Sequence, residues 1–338
     1  MRAWPDLTEY HEAVQHPPKA FADPGLKAVT LELDRFGMPK PATGGNAVVY
    51  KASHPGGFLW LFKKTWAIRC FLRPISDHAE RYEAISKHLR RVRLPYDVNF
   101  QFLKQGIQIR SNWFPIVKMQ WARGDLLHSY VEKHLRFPGV LTALRDKWAT
   151  LVRHLEAAHV AHGDLQHGNI LVRSGSIQLV DYDGMWVPAL KGRHATETGH
   201  RAYQHPERGG QDYGQEIDRF SALVIYLSLA ALERDVTLWE RFHTGDNLIF
   251  VREDFQQAGR SAVWQQLSRI GSREIDRLTA ALAAMVEQHP MEVNNLESVF
   301  RNLASTPAQR VAPKPAPVPA PAVPSWMQKG GYRHHSDD

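Results

Sequence analysis

The chain predicts an α+β protein in which a smaller strand-rich part precedes a larger helical part. Two observations carry that expectation. Short apolar runs broken by turn residues dominate residues 44–71 and 107–119. Segments with helical apolar spacing dominate after Gly124. The coarse result is a small strand-rich part followed by a larger helical part.

The elements follow in order. Residues 1–38 read as a partly structured leader, with a short helix over Tyr10–Gln15 and a strand over Val29–Leu33. Ala47–Tyr50, Phe58–Phe62 and Trp66–Phe71 are rich in β-branched and aromatic residues and predict strands. Asp77–Leu89 predicts a helix with Tyr82, Ile85 and Leu89 on one face. Two more strands are expected from Ile107 to Met119, around a turn at Ser111-Asn112. Leu141–His159 sets Leu144, Trp148, Leu151, Val152 and Leu155 on one helical stripe. Asp218–Leu232 is apolar nearly all round, which predicts a buried helix. Residues 274–304 give two further helices. The Pro/Ala-rich stretch 306–338 cannot build a core and predicts a stiff, extended, disordered tail, interrupted by Ser325-Trp-Met327.

Bulk properties narrow the class. At 338 residues, with 43% hydrophobic and 23% charged residues, the chain has the composition of a globular protein large enough for two lobes. No apolar run approaches the roughly 20 residues of a membrane span, and the N-terminus lacks a signal-peptide core. Cys70 is the only cysteine, which excludes an intrachain disulfide and a cysteine-based zinc site. A cytoplasmic protein is expected. Net charge is +7, and the basic run Lys87–Arg93 reads as a solvated helix end or as a patch for acidic partners. No aromatic RNA-binding signature accompanies it, so a nucleic-acid partner is not expected.

The stretch Val160-Ala-His-Gly-Asp-Leu-Gln-His-Gly-Asn-Ile-Leu-Val172, followed by Ile177-Gln-Leu-Val-Asp-Tyr-Asp-Gly184, carries the chemistry. Two apolar runs separated by Arg173–Ser176 form a hairpin signature. A hairpin brings its outer ends together, so Asn169 and Asp181 should meet, with Asp164 close by. Hard oxygen ligands of this kind suit Mg²⁺, which is usually held by one or two carboxylates together with phosphate oxygens. Mg·ATP is the expected ligand.

These residues resemble the protein-kinase-like superfamily, over about Pro41 to Leu303. His162-Gly-Asp-Leu-Gln-His-Gly-Asn169 is similar to the catalytic loop His-x-Asp-x-x-x-x-Asn, and Asp181-Tyr-Asp183 takes the place of Asp-Phe-Gly. Gly199-His-Arg-Ala-Tyr203 with His205-Pro-Glu207 resembles the end of an activation segment, and Asp218-Arg-Phe-Ser221 the Asp-x-x-Ser helix start. Together with Trp66-Ala-Ile-Arg-Cys-Phe71, Arg81-Tyr82 and Asp181-Tyr-Asp-Gly-Met185, they resemble bacterial, eukaryotic-like serine/threonine protein kinases. The resemblance implies a bilobal protein-kinase-like fold. Its parts would be a leader 1–38, a small β-rich N-lobe 39–118, a hinge 119–124, a larger helical C-lobe 125–305 and a tail 306–338. It also implies a protein substrate and a setting with a cognate phosphatase.

Site roles come from the same resemblance. Asp164 would accept or orient the proton of the attacking hydroxyl, and Asn169 and Asp181 would hold Mg²⁺. His162 and Asp218 would support the loop. Gly44 and Gly45 would cover the phosphates, and Met119-Gln-Trp-Ala-Arg-Gly124 would form the hinge, with Met119 guarding the back pocket and Gln120 to Ala122 contacting adenine. Arg69 stands where the phosphate-binding lysine is usual, with Lys63 or Lys64 as substitutes. Its helix partner would be Glu80, with Glu83 as the alternative. Departures from the pattern are Gly163 for the loop arginine, Gln166 for a lysine, which the adjacent His167 is not expected to replace, and Asp183 for glycine. Glu207 would need Arg208 or Arg234 as its cation. Thr196 and Thr198 are candidate phosphosites. The alternatives are a nucleotide-binding pseudokinase scaffold and a small-molecule phosphotransferase.

Overall fold

Side chains along a β-strand alternate between two faces, and this protein uses both faces of its main sheet. The structure is a computed structural model that describes residues 4–43, 47–54, 64–74, 78–97 and 99–305. The chain divides into two units, residues 1–303 and 304–338, and the sheets and the cavity belong to the first. The expected strand Phe58–Phe62, the tail 306–338, Gly44, Gly45 and Lys63 lie outside the described residues.

The chain opens with three short helices, α1 (Leu7–Val14), α2 (Pro17–Ala20) and α3 (Pro24–Lys27). Then follow β1 (Thr30–Leu31), β2 (Pro41–Thr43), β3 (Ala47–Ser53) and β4 (Thr65–Phe71). Helix α4 (His78–Val92) precedes β5 (Phe100–Ile109) and β6 (Asn112–Gln120). Among the described residues these strands make one antiparallel sheet in the order β1-β3-β4-β6-β5, with β2 also paired to β3. The turn between β5 and β6 has positive φ at Arg110 and Ser111, as a tight hairpin of the right twist requires.

A second, three-stranded sheet joins β7 (Asp125–Leu126), β8 (Ile170–Arg173) and β9 (Ser176–Leu179). Helices α5 (Leu127–His134) and α6 (Pro138–Ala157) lie between β7 and β8 in the chain. After β9 come α7 (Arg219–Arg234), α8 (Thr237–Phe242), α9 (Arg252–Gln256), α10 (Ala262–Arg269), α11 (Arg273–Val286) and α12 (Leu296–Ser305). The stripe Leu144, Trp148, Leu151, Val152, Leu155 is buried on α6. Helix α7 is buried from Phe220 to Leu232, as its unbroken apolar character demands. The architecture is therefore mixed α+β, with antiparallel sheets and helices. No described helix is long and apolar enough to cross a membrane.

The main sheet separates two apolar clusters. On one face Val48, Tyr50, Ile68, Cys70, Ile107 and Ile116 pack with Tyr10, Val14, Phe21 and Leu26 from α1 to α3 and their linkers. On the other, Phe71 and Val117 join Tyr82, Ile85 and Leu89 of α4 and the large helical core. Covering both faces explains why β4 is apolar at successive positions instead of alternating. Residues 4–29 thus form a cap built onto the sheet. Their attachment is specific. The Asp6 carboxylate and Glu9 form a reciprocal capping box at α1. The Tyr10 hydroxyl donates to Phe71 O at 2.8 Å. Lys118 Nζ pairs with Asp23 at 2.7 Å, with both side chains largely buried. The strand expected over Val29–Leu33 is shorter, Thr30–Leu31, because only those residues register against Ser53 and Ala52.

Fully burying one such side chain is worth about 1.5–3 kcal/mol, before any cavity it would leave is counted. Phe21 is completely buried between cap and sheet. Phe21→Ala is expected to lower unfolding free energy by about 3–5 kcal/mol in urea or guanidinium titrations. A loss under about 1 kcal/mol would mean that the cap is not part of the folded core.

Candidate functional site

Ser174 and Gly175 both have positive φ (48° and 72°), the two-residue turn whose twist suits a tight hairpin. That turn sets β8 against β9 with Ile170 opposite Leu179. Val180 N then donates to Asn169 O at 3.0 Å, closing the open end. Asn169 and Asp181 are brought side by side, as the hairpin reading expects.

The preceding loop is fixed by its backbone. Ala161 and Trp186 exchange both amide–carbonyl bonds, at 3.0 and 2.8 Å. The buried Asp218 carboxylate accepts from the amides of His162 and Gly163, the latter at 2.8 Å. His162 Nε2 meets Val180 O at 3.0 Å. Gly163 has φ +82°, and a Cβ there would lie 2.1 Å from Gly184 O. A side chain at this position is excluded by the crossing of two backbones, which is a steric reason for glycine here. The guanidinium of Arg208 reaches the same place from elsewhere, donating to Gly163 O at 2.8 Å.

This frame holds Asp164. Its Oδ1 accepts from His200 N at 2.7 Å, and its Oδ2 from Asn169 Nδ2 at 2.8 Å. Asn169 Nδ2 also donates to Asp164 O at 2.9 Å, which leaves the Asn169 oxygen turned to other partners. Asp181 sits at φ +67° with its side chain 39% exposed. Arg69 Nη1 lies 2.5 Å from Asp181 Oδ1, and Arg69 Nη2 pairs with Asp183 Oδ2. Tyr82 donates its hydroxyl to Asp183 Oδ1.

Of these groups, Arg69, Asn169, Asp181 and Asp183 line a cavity of about 800 Å³. Ala47, Val49 and Ala67 of the main sheet form one wall, and Leu126, Leu171 and Val180 the opposite one. Met119 and Gln120 at the end of β6, with Trp121 and Ala122 after it, also line the cavity. Arg69, Asn169, Asp181, Asp183 and Glu197 carry its charge and polarity. The result is an apolar slot large enough for a flat ring system, ending in carboxylates, an amide and one guanidinium. The amides of Gln120 and Trp121 are already bonded, to Asn99 O and Thr65 O. Among the described residues no hydrogen bond uses the Ala122 amide.

Several expected partnerships do not form. Glu80 does not meet Arg69; it is 71% exposed and pairs with Arg193 at 2.5 Å. Glu83 is exposed as well. The helix turns Tyr82, Ile85 and Leu89 inward, which sends both glutamates outward. Lys64 is exposed and away from the cavity. His167 does not replace the missing lysine: it is buried, its Nδ1 bonds the Tyr203 hydroxyl at 2.9 Å, and burial above all lowers its pKa to about 4. Glu207 is exposed, while Arg208 serves Gly163 and Gln204, and Arg234 pairs with Glu274 at 3.2 Å.

Two residues enter the site without a site role expected from the sequence. Tyr82 belongs to the apolar face of its helix and to the Arg81-Tyr82 pair, and its hydroxyl serves Asp183. Glu197 comes from an irregular segment with no periodicity to mark it. Burial, and then the charges of Asp181, Asp183 and Asp164, push its carboxyl up to about 7.

A carboxyl raised above its ordinary value of 4.5 favours the folded state most when protonated. That stability is complete below about 4.5 and is lost as pH rises through about 7. Glu197→Gln keeps a neutral side chain throughout. In thermal melts without nucleotide or metal, the variant should match the wild type near pH 4.5 and become the more stable protein by pH 8. A constant offset across that range would contradict the assignment.

Compared with known proteins, the chain matches no family model and no curated protein.

Proposed function

We propose that the cavity binds Mg·ATP and that the protein is a serine/threonine protein kinase of bilobal, protein-kinase-like fold. One observation carries the reading: Asn169 and Asp181 line the polar end of an apolar slot together with Arg69, which pairs with Asp181, and Asp164 stands behind them, hydrogen-bonded to Asn169. The resemblance of residues 162–169, 181–183 and 218–221 to kinase motifs supports it.

The donor set fits magnesium. Asn169 has its oxygen free of the two bonds made by its nitrogen, and Asp181 has one oxygen beyond the Arg69 contact. The described residues hold no group of three or more His, Cys, Asp or Glu arranged for a metal, so phosphate oxygens would complete the coordination. Bound Mg²⁺ would neutralise charge on the transferring phosphate. The protein's own part is positioning. Asp164, fixed by hydrogen bonds from His200, Asn169 and Gln166, orients the acceptor hydroxyl and takes its proton. Arg69 supplies a planar, permanently charged fork for phosphate oxygens. The apolar walls hold the base and exclude water from the charged end.

A second reading, a nucleotide-binding pseudokinase, is favoured by one specific observation. Arg69 already occupies an oxygen of Asp181, the principal metal ligand.

Turnover separates the two. The wild type is expected to transfer phosphate from γ-labelled ATP to itself or to a Ser/Thr protein substrate, dependent on Mg²⁺. Asp164→Ala should cut the rate about 10²–10⁴-fold while ATP still shifts the melting temperature. ATP binding without any transfer would favour the pseudokinase. An unchanged rate in Asp164→Ala would remove Asp164 from the chemistry.

A further inference from the structure

Arg69 presents a problem of burial. Its side chain is 13% exposed and comes from the middle of a central strand. A guanidinium that deep is stable only if paired, because removing one partner of a buried pair leaves an uncompensated charge. Helix α4 offers no carboxylate to it, since Glu80 is on Arg193 and Glu83 is in solvent.

Its two terminal nitrogens go to two different carboxylates, and these differ in setting. Asp181 is 39% exposed, opens to the cavity and keeps one oxygen for other partners. Asp183 is 12% exposed, and both its oxygens are engaged, one by Arg69 and one by the Tyr82 hydroxyl. Tyr82 is itself fixed, with its ring 5.4 Å from that of Phe102 in a stacked arrangement and 5.9 Å from that of Phe100. One carboxylate therefore joins β4, α4 and the segment after β9.

We infer that Asp183, held by Tyr82, is the positioning residue for the phosphate-binding Arg69, and that Asp181 is its exchangeable partner. The inference rests on the nucleotide reading of the cavity. When phosphate and metal engage Asp181 and one edge of the guanidinium, Asp183 keeps the other edge in place. Helix α4 is then coupled to the phosphate site through a tyrosine hydroxyl and not through a glutamate. The carboxylate that replaces the usual glycine at position 183 is what makes this arrangement possible.

The test compares ATP with adenosine, which lacks phosphate, on the full-length protein, with dissociation constants from calorimetry. Asp183→Asn should weaken Mg·ATP binding on the order of 10–100-fold and change adenosine binding by less than about 3-fold, since it weakens a charged hydrogen bond to the phosphate-facing group only. Tyr82→Phe should weaken Mg·ATP about 3–10-fold with adenosine again nearly unchanged. Glu80→Gln should leave both constants as in the wild type. Equal losses for ATP and adenosine in both Asp183→Asn and Tyr82→Phe would overturn the inference, as would an ATP loss in Glu80→Gln matching that of Asp183→Asn. If Asp183→Asn does not fold, Tyr82→Phe decides alone by the same criterion. Wild-type protein that binds adenosine but shows no added affinity for ATP refutes the positioning role; binding of neither refutes the nucleotide reading beneath it.

Discussion

Asp164 and Asp181 lie in different segments, and what brings them together is a backbone crossing at Gly163 and Gly184. The two chains pass so closely that a Cβ at Gly163 would sit 2.1 Å from Gly184 O. The crossing is locked on one side by the paired bonds between Ala161 and Trp186, and on the other by the Asp218 carboxylate under the amides of His162 and Gly163. Asp218 is buried, and burial pushes its carboxyl up, but the two amides and the nearby His162 and Arg208 act against that shift. A buried carboxylate accepting two main-chain donors is a stiff joint, since breaking it would leave three polar groups unsatisfied. Helix α7 begins at this joint, so the best-buried helix of the protein anchors the loop that carries Asp164.

The second dependence is on the two-sided sheet. Strand alternation sends Ile68 and Cys70 to the face covered by the N-terminal helices and Ala67, Arg69 and Phe71 to the other. A one-residue slip of β4 would carry Arg69 into the apolar cluster of Tyr10 and Phe21 and away from Asp181 and Asp183. The cap therefore does more than bury area: it makes the register of β4 costly to change. Small residues at Ala47 and Ala67 then leave room for the slot beside the main sheet.

How much of this was legible depended on how local the determining physics is. The hairpin at residues 170–179, the stripe on α6 and the all-apolar α7 are set by neighbours in sequence, and they stand where their patterns put them. The convergence of Asn169 and Asp181 follows from the same local turn. Glu80 illustrates the opposite case, although its misplacement was readable. At about 100° per residue, Glu80 lies roughly 200° around the helix from Tyr82, so an inward Tyr82, Ile85 and Leu89 exclude an inward Glu80. Resemblance outweighed periodicity there, and periodicity was the better guide. The cap was harder to read, because α2 and α3 are four residues each and their burial depends on a sheet distant in sequence. Glu197 and the Asp183–Tyr82 contact were illegible for the same reason: each depends on tertiary placement of an irregular segment.

Charge gives the last constraint on what the cavity can hold. The chain is net positive by seven charges, but the polar end of the slot gathers Asp181, Asp183 and Glu197, with Asp164 just behind, against the single guanidinium of Arg69. Arg208 lies nearby but is committed to Gly163 O and Gln204. A polyphosphate entering alone would meet more negative than positive charge in a partly buried setting, where such repulsion is poorly screened. A divalent cation reverses that balance, and Glu197, with a pKa near 7, reduces the repulsion further by taking a proton. On the nucleotide reading, metal and nucleotide should therefore bind as one unit, each improving the affinity of the other. The same electrostatics disfavour a free anion such as sulfate in the slot, and they tie the proposed chemistry to a cation that the protein only partly ligates.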